Sequence, residues 1–392
     1  MKFSGDRLAG KFSFERRRVL GLTIVAFGFL ALCNAVQWFN VRNWGLGASE
    51  FLDLDATIKF VDCYETLGAQ IYSVSNGAEC SNYVYGFSLV AVSEFLGINH
   101  IPIHFLGYVL LAMLAYVIAY FLALLKIRLV LTIIVMIVVI LSPPVSLLAQ
   151  RANIDILIAF LILIGIQSIR IGARPIGFLL ITLTVLIKFY TLPLLLLLLI
   201  EKPFRKSGYI LSVLVAFFAT IANFSLIVAL PSDGTYAAFG NRAVHYYLQS
   251  AQFYPINTPR VFGDLIGFVM VIMVVLSLMV MSSRFRDIFD GLKVEKTLNV
   301  PNAFMILGIS CYMFGMNYDY RLIFLILPLL VIPTRVHKTD KTVKAILVLT
   351  VAYTSFNSTL FVQGIGDIVI GNIISLLVFL FLRPLIVPTG SR

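Results

Sequence analysis

Residues 105–125 read FLGYVLLAMLAYVIAYFLALL, twenty-one positions without a charge. A bilayer core is ~30 Å thick, and about twenty apolar residues carry an α-helix across it. Hydrocarbon offers the backbone no water to bond, so a stretch of this kind is expected as a helix, which satisfies its own peptide groups. The rest of the chain is of the same character. Of its 392 residues 60% are hydrophobic and only 12% charged, with a mean hydropathy of +0.97. A soluble domain carries about 25% charge to dress its surface. A soluble globular fold, a nucleic-acid binder and a secreted disulfide scaffold are therefore excluded. The fold class expected is an all-α polytopic membrane protein.

On either side of 105–125, further spans are expected near 18–38, 129–147, 153–169, 209–230, 260–282, 298–316, 322–334, 345–361 and 367–386. Between 176 and 200 two short apolar stretches, broken at Lys188–Pro193, suggest a hairpin of half-length helices. The basic opening MKFSGDRLAGKFSFERRRVL leads into an apolar run longer than a signal-peptide core, so 18–38 reads as a retained first span with a cytoplasmic N-terminus. Threaded this way, the chain places 23 Lys and Arg against 7 Asp and Glu on the cytoplasmic side, and 7 against 12 on the other. These counts account for all 30 basic and 19 acidic residues. The net charge of +11 is then a topological signal, basic residues being retained on the cytoplasmic side, and points to no anionic ligand. Residues 39–104 form a long first outer loop whose amphipathic part, 83–98, lies along the membrane or re-enters it. A second outer loop, 231–259, is aromatic and mildly polar.

Charges at or within a bilayer cost ~2.5–3.5 kcal/mol on insertion scales, so each needs a reason. Three compact polar islands fall on the outer side of the threading. The first is Gln150-Arg151-Ala152-Asn153-Ile154-Asp155. The second is Lys188-Phe189-Tyr190, and the third Asn317-Tyr318-Asp319-Tyr320-Arg321. Each has an ordinary account: Asn153 or Asp155 as a helix cap, Tyr318 and Tyr320 as members of an aromatic belt. Three islands on the face that also carries Asp53, Asp55 and Asp62 invite another. Cations converging beside carboxylates hold an anionic head group and activate a hydroxyl.

Cys33 and Cys311 fall in spans as packing residues, while Cys63 and Cys80 share the outer loop. In an oxidising compartment those two are candidates for a disulfide that would close the loop, with a pair of free thiols as the alternative. Neither the cysteines nor the four scattered histidines have the spacing of a zinc site, and Pro102 interrupts the His100/His104 pair. No metal and no cofactor are expected. Asp53 and Asp55, at i and i+2, could at most hold a cation weakly; they could equally be solvated loop acids. There is no phosphate-binding glycine loop and no nucleophile elbow, so neither ATP nor a covalent serine is expected.

The order FLDLDATIKF, GAQIY, CSNYVYG, SPPVSLLAQRANIDILI, LIKFYTLPLLLLL and NYDYRLIFLILPLL, over about 20–335, resembles the GT-C superfamily of integral-membrane glycosyltransferases. The likeness is nearest to glycosyltransferase family 87, the polyprenyl-phosphate-mannose-dependent mannosyltransferases and their bacterial relatives. RANID is similar to that family's Arg-Gly-Asn-Ile-Asp island, IKFYTLP to its hairpin tip, and Asp53 or Asp55 to its acidic first-loop position. Ala152 stands where Gly is common, Thr191 precedes Pro193 where Tyr-Pro is usual, and the loop ends in Tyr85-Gly86.

The resemblance implies a single transmembrane domain over 1–392. It would be a GT-C-like bundle of about 10–13 helices, whose first outer loop carries interfacial helices and the active-site acids. It implies transfer of mannose or another hexose or pentose from a polyprenyl-phosphate donor to the hydroxyl of a glycan or lipid-linked acceptor. Transfer would take place at the outer face of a membrane, expected to be the bacterial inner membrane, in cell-envelope glycan assembly. Membrane lipids are the other expected partner, and nucleic acid is not one. On that reading Asp53 or Asp55 is the general base, and Arg151, Lys188 and Arg321 bind the donor phosphate. Asn153, Asp155, Asn317 and Asp319 shape the pocket, with Tyr190, Tyr318 and Tyr320 stacking on sugar or prenyl chain. The rivals are a lipid-linked-sugar flippase or secondary transporter, an outer-face polysaccharide polymerase, and a structural subunit. A transporter would show mid-membrane charges and an internal repeat, a polymerase its largest outer loop later in the chain.

Overall fold

The computed structural model describes residues 5–36, 51–67, 87–195, 299–313 and 317–335, with isolated positions between 210 and 272. These residues are helical apart from one antiparallel ladder of two residues per strand, β1 (Ala238–Phe239) with β2 (Asn317–Tyr318). The spans expected near 209–230, 260–282, 345–361 and 367–386 lie outside the described residues, as does almost all of the 231–259 loop. The chain divides into two compact units, 1–164 and 165–392.

The first unit is built on α1 (Gly5–Ala35) and α4 (Ile103–Leu124), between which come α2 (Leu52–Leu67) and α3 (Phe87–Phe95). α1 begins earlier than the expected apolar run because its basic opening continues the helix. Arg16–Ala35 and Ile103–Leu124 are both long and apolar enough to cross a membrane. Leu22, Ala26, Leu30 and Cys33, spaced by four and then three, form one buried stripe of α1. That helix packs along α4, whose Leu111, Leu114, Ile118 and Leu122 are fully buried. Leu20, Ile24 and Leu32 on α1 are exposed, an apolar surface suited to lipid and unsuited to water. At one end, Arg18 Nη2 donates to the Ile127 carbonyl (2.8 Å) and to Thr132 Oγ1 (3.1 Å), tying the basic end of α1 to the turn after α4.

The stretch expected as a span near 129–147 is bent. α5 (Leu129–Ile140) and α6 (Pro143–Arg151) meet at 67°. Pro143 and Pro144 cannot donate into a continuing helix, and at the first turn of a new one they need not. The carbonyls freed at the break are taken up by serine hydroxyls. Ser142 Oγ donates to Val139 O (2.6 Å) and Ser146 Oγ to Ile140 O (3.0 Å). In an apolar setting such repair is obligatory. The bent pair counts as a third candidate span.

Within the amphipathic part of the expected first loop, residues Phe87–Phe95 are helical. α3 packs through Val90 on Phe60 and Val61 of α2, with Cys63 and Tyr64 beside them. Asn99 Nδ2 donates to Asp62 Oδ1 and Glu65 Oε1, both at 2.9 Å. Val92, Phe95 and Leu96 are left exposed on the far side, as an interfacial helix would have them. Cys63 is disulfide-bonded, while Cys80, the expected partner, lies outside the described residues.

α7 (Asp155–Arg170) is a helix over most of the stretch expected as a span at 153–169, and it leads into the second unit. There α8 (Arg174–Ile187) is followed by a 3-10 turn, Phe189–Thr191, the break expected at the hairpin tip. α9 (Val300–Met313) and α10 (Ile323–Arg335) pack together, Phe304 against Phe324 with ring centroids 5.6 Å apart. At 13–16 residues, α7 to α10 are each shorter than the ~30 Å core at 1.5 Å per residue.

Candidate functional site

Asp53 is the second residue of α2, where a carboxylate is favoured by the orphan amides of a helix N-terminus. Arg151 closes α6, almost a hundred positions along the chain. The two meet. Arg151 Nε lies 2.7 Å and Nη2 2.5 Å from Asp53 Oδ1, with the side chains only 16% and 11% exposed. The other carboxylate oxygen, Oδ2, accepts from Asn153 Nδ2. Asn153 serves two elements at once, because its Oδ1 also accepts the Asp155 N–H (2.9 Å) in an Asx turn that starts α7. Asn153 thus caps α7 and bonds Asp53 with one side chain.

The backbone is arranged to make this junction. Phe51 N–H donates to Gln150 O at 2.8 Å, joining the entry of α2 to the exit of α6. Phe51 has φ +58°, and its fully buried ring lies edge-on to His104 and Tyr108 at the start of α4. Gly107 is required there: a Cβ would stand 2.3 Å from the Phe51 ring. Between Arg151 and Asn153, Ala152 takes the left-handed conformation (φ +44°, ψ +49°) that ends α6 and turns the chain into α7. The family resembled in sequence has Gly at this position, and Gly adopts that conformation without strain. The cluster therefore sits at the start of α4, while Arg18 binds beyond its other end, Leu124, roughly 33 Å away along a 22-residue helix.

Asp55 does something different. One turn along α2 it pairs with Lys59 at 2.8 Å, Lys59 exposed and Asp55 half-buried. Asp155 is almost fully buried in the first turn of α7.

The remaining predicted residues belong to the second unit. Lys188 ends α8 in an extended conformation and is 5% exposed. Thr191 holds that end, its Oγ1 donating to the Lys188 carbonyl at 2.8 Å. Tyr190 is 3% exposed, and its ring gathers two cations. Lys188 Nζ lies 5.8 Å and the Arg321 guanidinium carbon 5.1 Å from the ring centroid. Phe324 packs against the same ring at 6.2 Å. Arg321 is in the 3-10 turn Asp319–Leu322, which holds Asp319 and Tyr320, and the preceding Asn317 and Tyr318 form β2. The structure thus gathers the predicted residues into two groups, Asp53 with Arg151, Asn153 and Asp155, and Tyr190 with Lys188 and Arg321.

Phe51 and Gly107 were not singled out by the sequence, and Thr191 was named only as a departure from the resembled family. A hydroxyl after a helix end is a recognisable signal for Thr191; nothing local marks the other two. Among the described residues no group of three or more His, Cys, Asp or Glu could hold a metal ion. Compared with known proteins, the chain finds no match among family models, curated proteins or solved structures.

Proposed function

We propose that this chain is a multi-pass integral-membrane glycosyltransferase that moves one sugar from a polyprenyl phosphate to an acceptor hydroxyl. The N-terminus lies in the cytoplasm, the site faces the outer side of a bacterial inner membrane, and the fold is the GT-C-like bundle that the sequence resembles. The observation that carries this reading is the meeting of Asp53 with Arg151 and Asn153 at the end of α4 remote from the Arg18 contact. A membrane helix with basic residues at one end is oriented with that end inside. The acid then faces the compartment that lacks a nucleotide-sugar pool, where a membrane-borne donor is the reasonable one.

Asp53 is the base. A carboxylate offers about four lone-pair directions; Arg151 supplies two contacts and Asn153 one, and the fourth direction suits an acceptor hydroxyl. The donor C1–O bond breaks with its electron pair going to the phosphate oxygen. The acceptor oxygen forms the new bond to C1, and its proton goes to Asp53. The leaving polyprenyl phosphate gains charge as the bond breaks, and Arg151 beside Asp53 stabilises it. Asp55, paired with Lys59 in solvent, takes no part.

The test is an in vitro transfer assay with purified chain, labelled polyprenyl-phosphate sugars and crude acceptor lipids. Transfer by the wild type and by Asp55→Asn, but not by Asp53→Asn, is the expected result. Binding of intact lipid-linked sugar without transfer from any donor would replace this reading by a flippase.

A further inference from the structure

Five cations are gathered where the basic end of α1 meets the turn between α4 and α5. Arg16, Arg17 and Arg18 lie on α1, which packs along α4, and Lys126 and Arg128 lie in the turn. Arg18 pins the two together. Its Nη2 donates to the carbonyl of Ile127, the residue between Lys126 and Arg128, at 2.8 Å and to Thr132 Oγ1 on α5 at 3.1 Å. Arg16, Arg17, Lys126 and Arg128 are exposed around this joint. Segments 15–18 and 126–128 together carry five basic residues and one acidic residue, Glu15. Like charges brought this close favour an anion among them.

The helices themselves do not ask for this arrangement. A cation suits the negative end of α4 at Lys126, but Arg128 stands before the positive end of α5, where a cation is disfavoured. Lys126 also holds φ +54°, a left-handed conformation that glycine adopts more easily after a helix. The surroundings say which anion fits. Leu20 on α1 and Leu129, Val130 and Leu131 on α5 are exposed apolar side chains within a few residues of the cations. A nucleic acid or an acidic peptide would match the charge and leave those faces in water. A lipid with an anionic headgroup matches both.

We propose that the joint between α1 and the turn after α4 binds an anionic phospholipid. Lys126 and Arg128, with the exposed arginines of α1, take its phosphate, and its chains lie along the apolar faces of α1 and α5. Arg18 is the positioning residue, holding the turn against α1. Basic residues kept on one side to orient a chain need no particular arrangement; here one hydrogen-bonded arginine gathers them. The inference rests on α1 and α4 crossing a bilayer and not on the transferase reading.

The experiment titrates the full chain, purified in detergent, with phosphatidylglycerol or phosphatidylcholine of matched chains and counts bound lipid by native mass spectrometry. Wild type should hold phosphatidylglycerol at least about tenfold more tightly than phosphatidylcholine, and inorganic phosphate should not displace it. Lys126→Gln combined with Arg128→Gln leaves the backbone acceptor of Arg18 in place and should weaken phosphatidylglycerol binding by about tenfold or more. Lys126→Gly separates binding from folding. It relieves the left-handed backbone, so it should melt no lower than wild type in phosphatidylcholine while binding phosphatidylglycerol about fivefold more weakly. Lys126→Arg, which keeps the charge, should bind as wild type does. Equal affinity for the two lipids, undiminished binding by the double variant, or displacement by inorganic phosphate would overturn the lipid site and leave the transferase reading intact.

Discussion

Asp53 and Asp55 stand two positions apart in the first turn of one helix, yet the helix turns them to different surroundings. Asp53 meets Arg151 and Asn153 in a mostly buried junction, while Asp55 meets Lys59 in solvent. An exposed i,i+4 pair contributes only ~0.3–0.5 kcal/mol, so Asp55→Asn should change neither thermal stability nor transfer rate by more than a small factor. Removing one partner of a buried pair leaves the other charge uncompensated at ~3–5 kcal/mol. Asp53→Asn should therefore lower stability by about 3 kcal/mol, and should lower kcat by ~10²–10⁴-fold as loss of a general base does. Unfolding curves and transfer kinetics on the two variants, side by side, check both statements. Sequence reasoning found both acids and the RANID island; it left the choice between the acids open. The two acids differ in their surroundings through a partner 98 residues away, which no local pattern encodes.

At the scale of elements, the junction between α2, α4 and α6 depends on two small residues. Gly107 lets the Phe51 ring lie on the α4 backbone, and a single methyl there would meet the ring at 2.3 Å. Gly107→Ala should push Phe51 and the first turn of α2 away from Arg151, reducing transfer at least tenfold while α4 stays helical, since Ala is the better helix former. Circular dichroism together with the transfer assay separates those two effects. Ala152 holds a left-handed conformation that costs an L-residue ~1–2 kcal/mol. Ala152→Gly should be tolerated or slightly stabilising, whereas Ala152→Val, branched and fully buried at that φ, should destabilise by more than ~2 kcal/mol in thermal unfolding. The helix-breaking role of Pro143-Pro144 was open to view in the sequence, and the span expected near 129–147 ran through it. No charge falls within 141–147, so a charge-free window does not mark a bend that serine hydroxyls repair.

For the molecule as a whole, the orientation can be tested directly. His100, exposed near the start of α4, should react as His100→Cys with a membrane-impermeant maleimide on intact cells. Lys126, exposed beyond the other end of α4, should react as Lys126→Cys only after permeabilisation. The opposite pattern would invert the topology and place the Asp53 cluster in the cytoplasm. Exposed Leu20, Ile24, Leu129 and Val130 fit the same picture, since faces of this kind are stable only against lipid or another apolar surface.

Composition by itself pointed to a membrane and to helices, which the described residues form apart from one short ladder, because too few charges exist to dress a soluble surface and hydrocarbon admits no unpaired backbone. The order of its polar islands likewise picked out Arg151, Asn153, Lys188 and Arg321 as costly residues in need of a reason. Only the tertiary structure decided what each one touches. It joined Asp53 to Arg151, turned Asp55 to Lys59, bent the chain at Ser142 and set Lys188 and Arg321 against Tyr190. Hydrophobicity is a property of each residue and adds along the chain. An ion pair, a ring over a glycine or two cations on one tyrosine exist only when distant segments have been brought within a few ångströms.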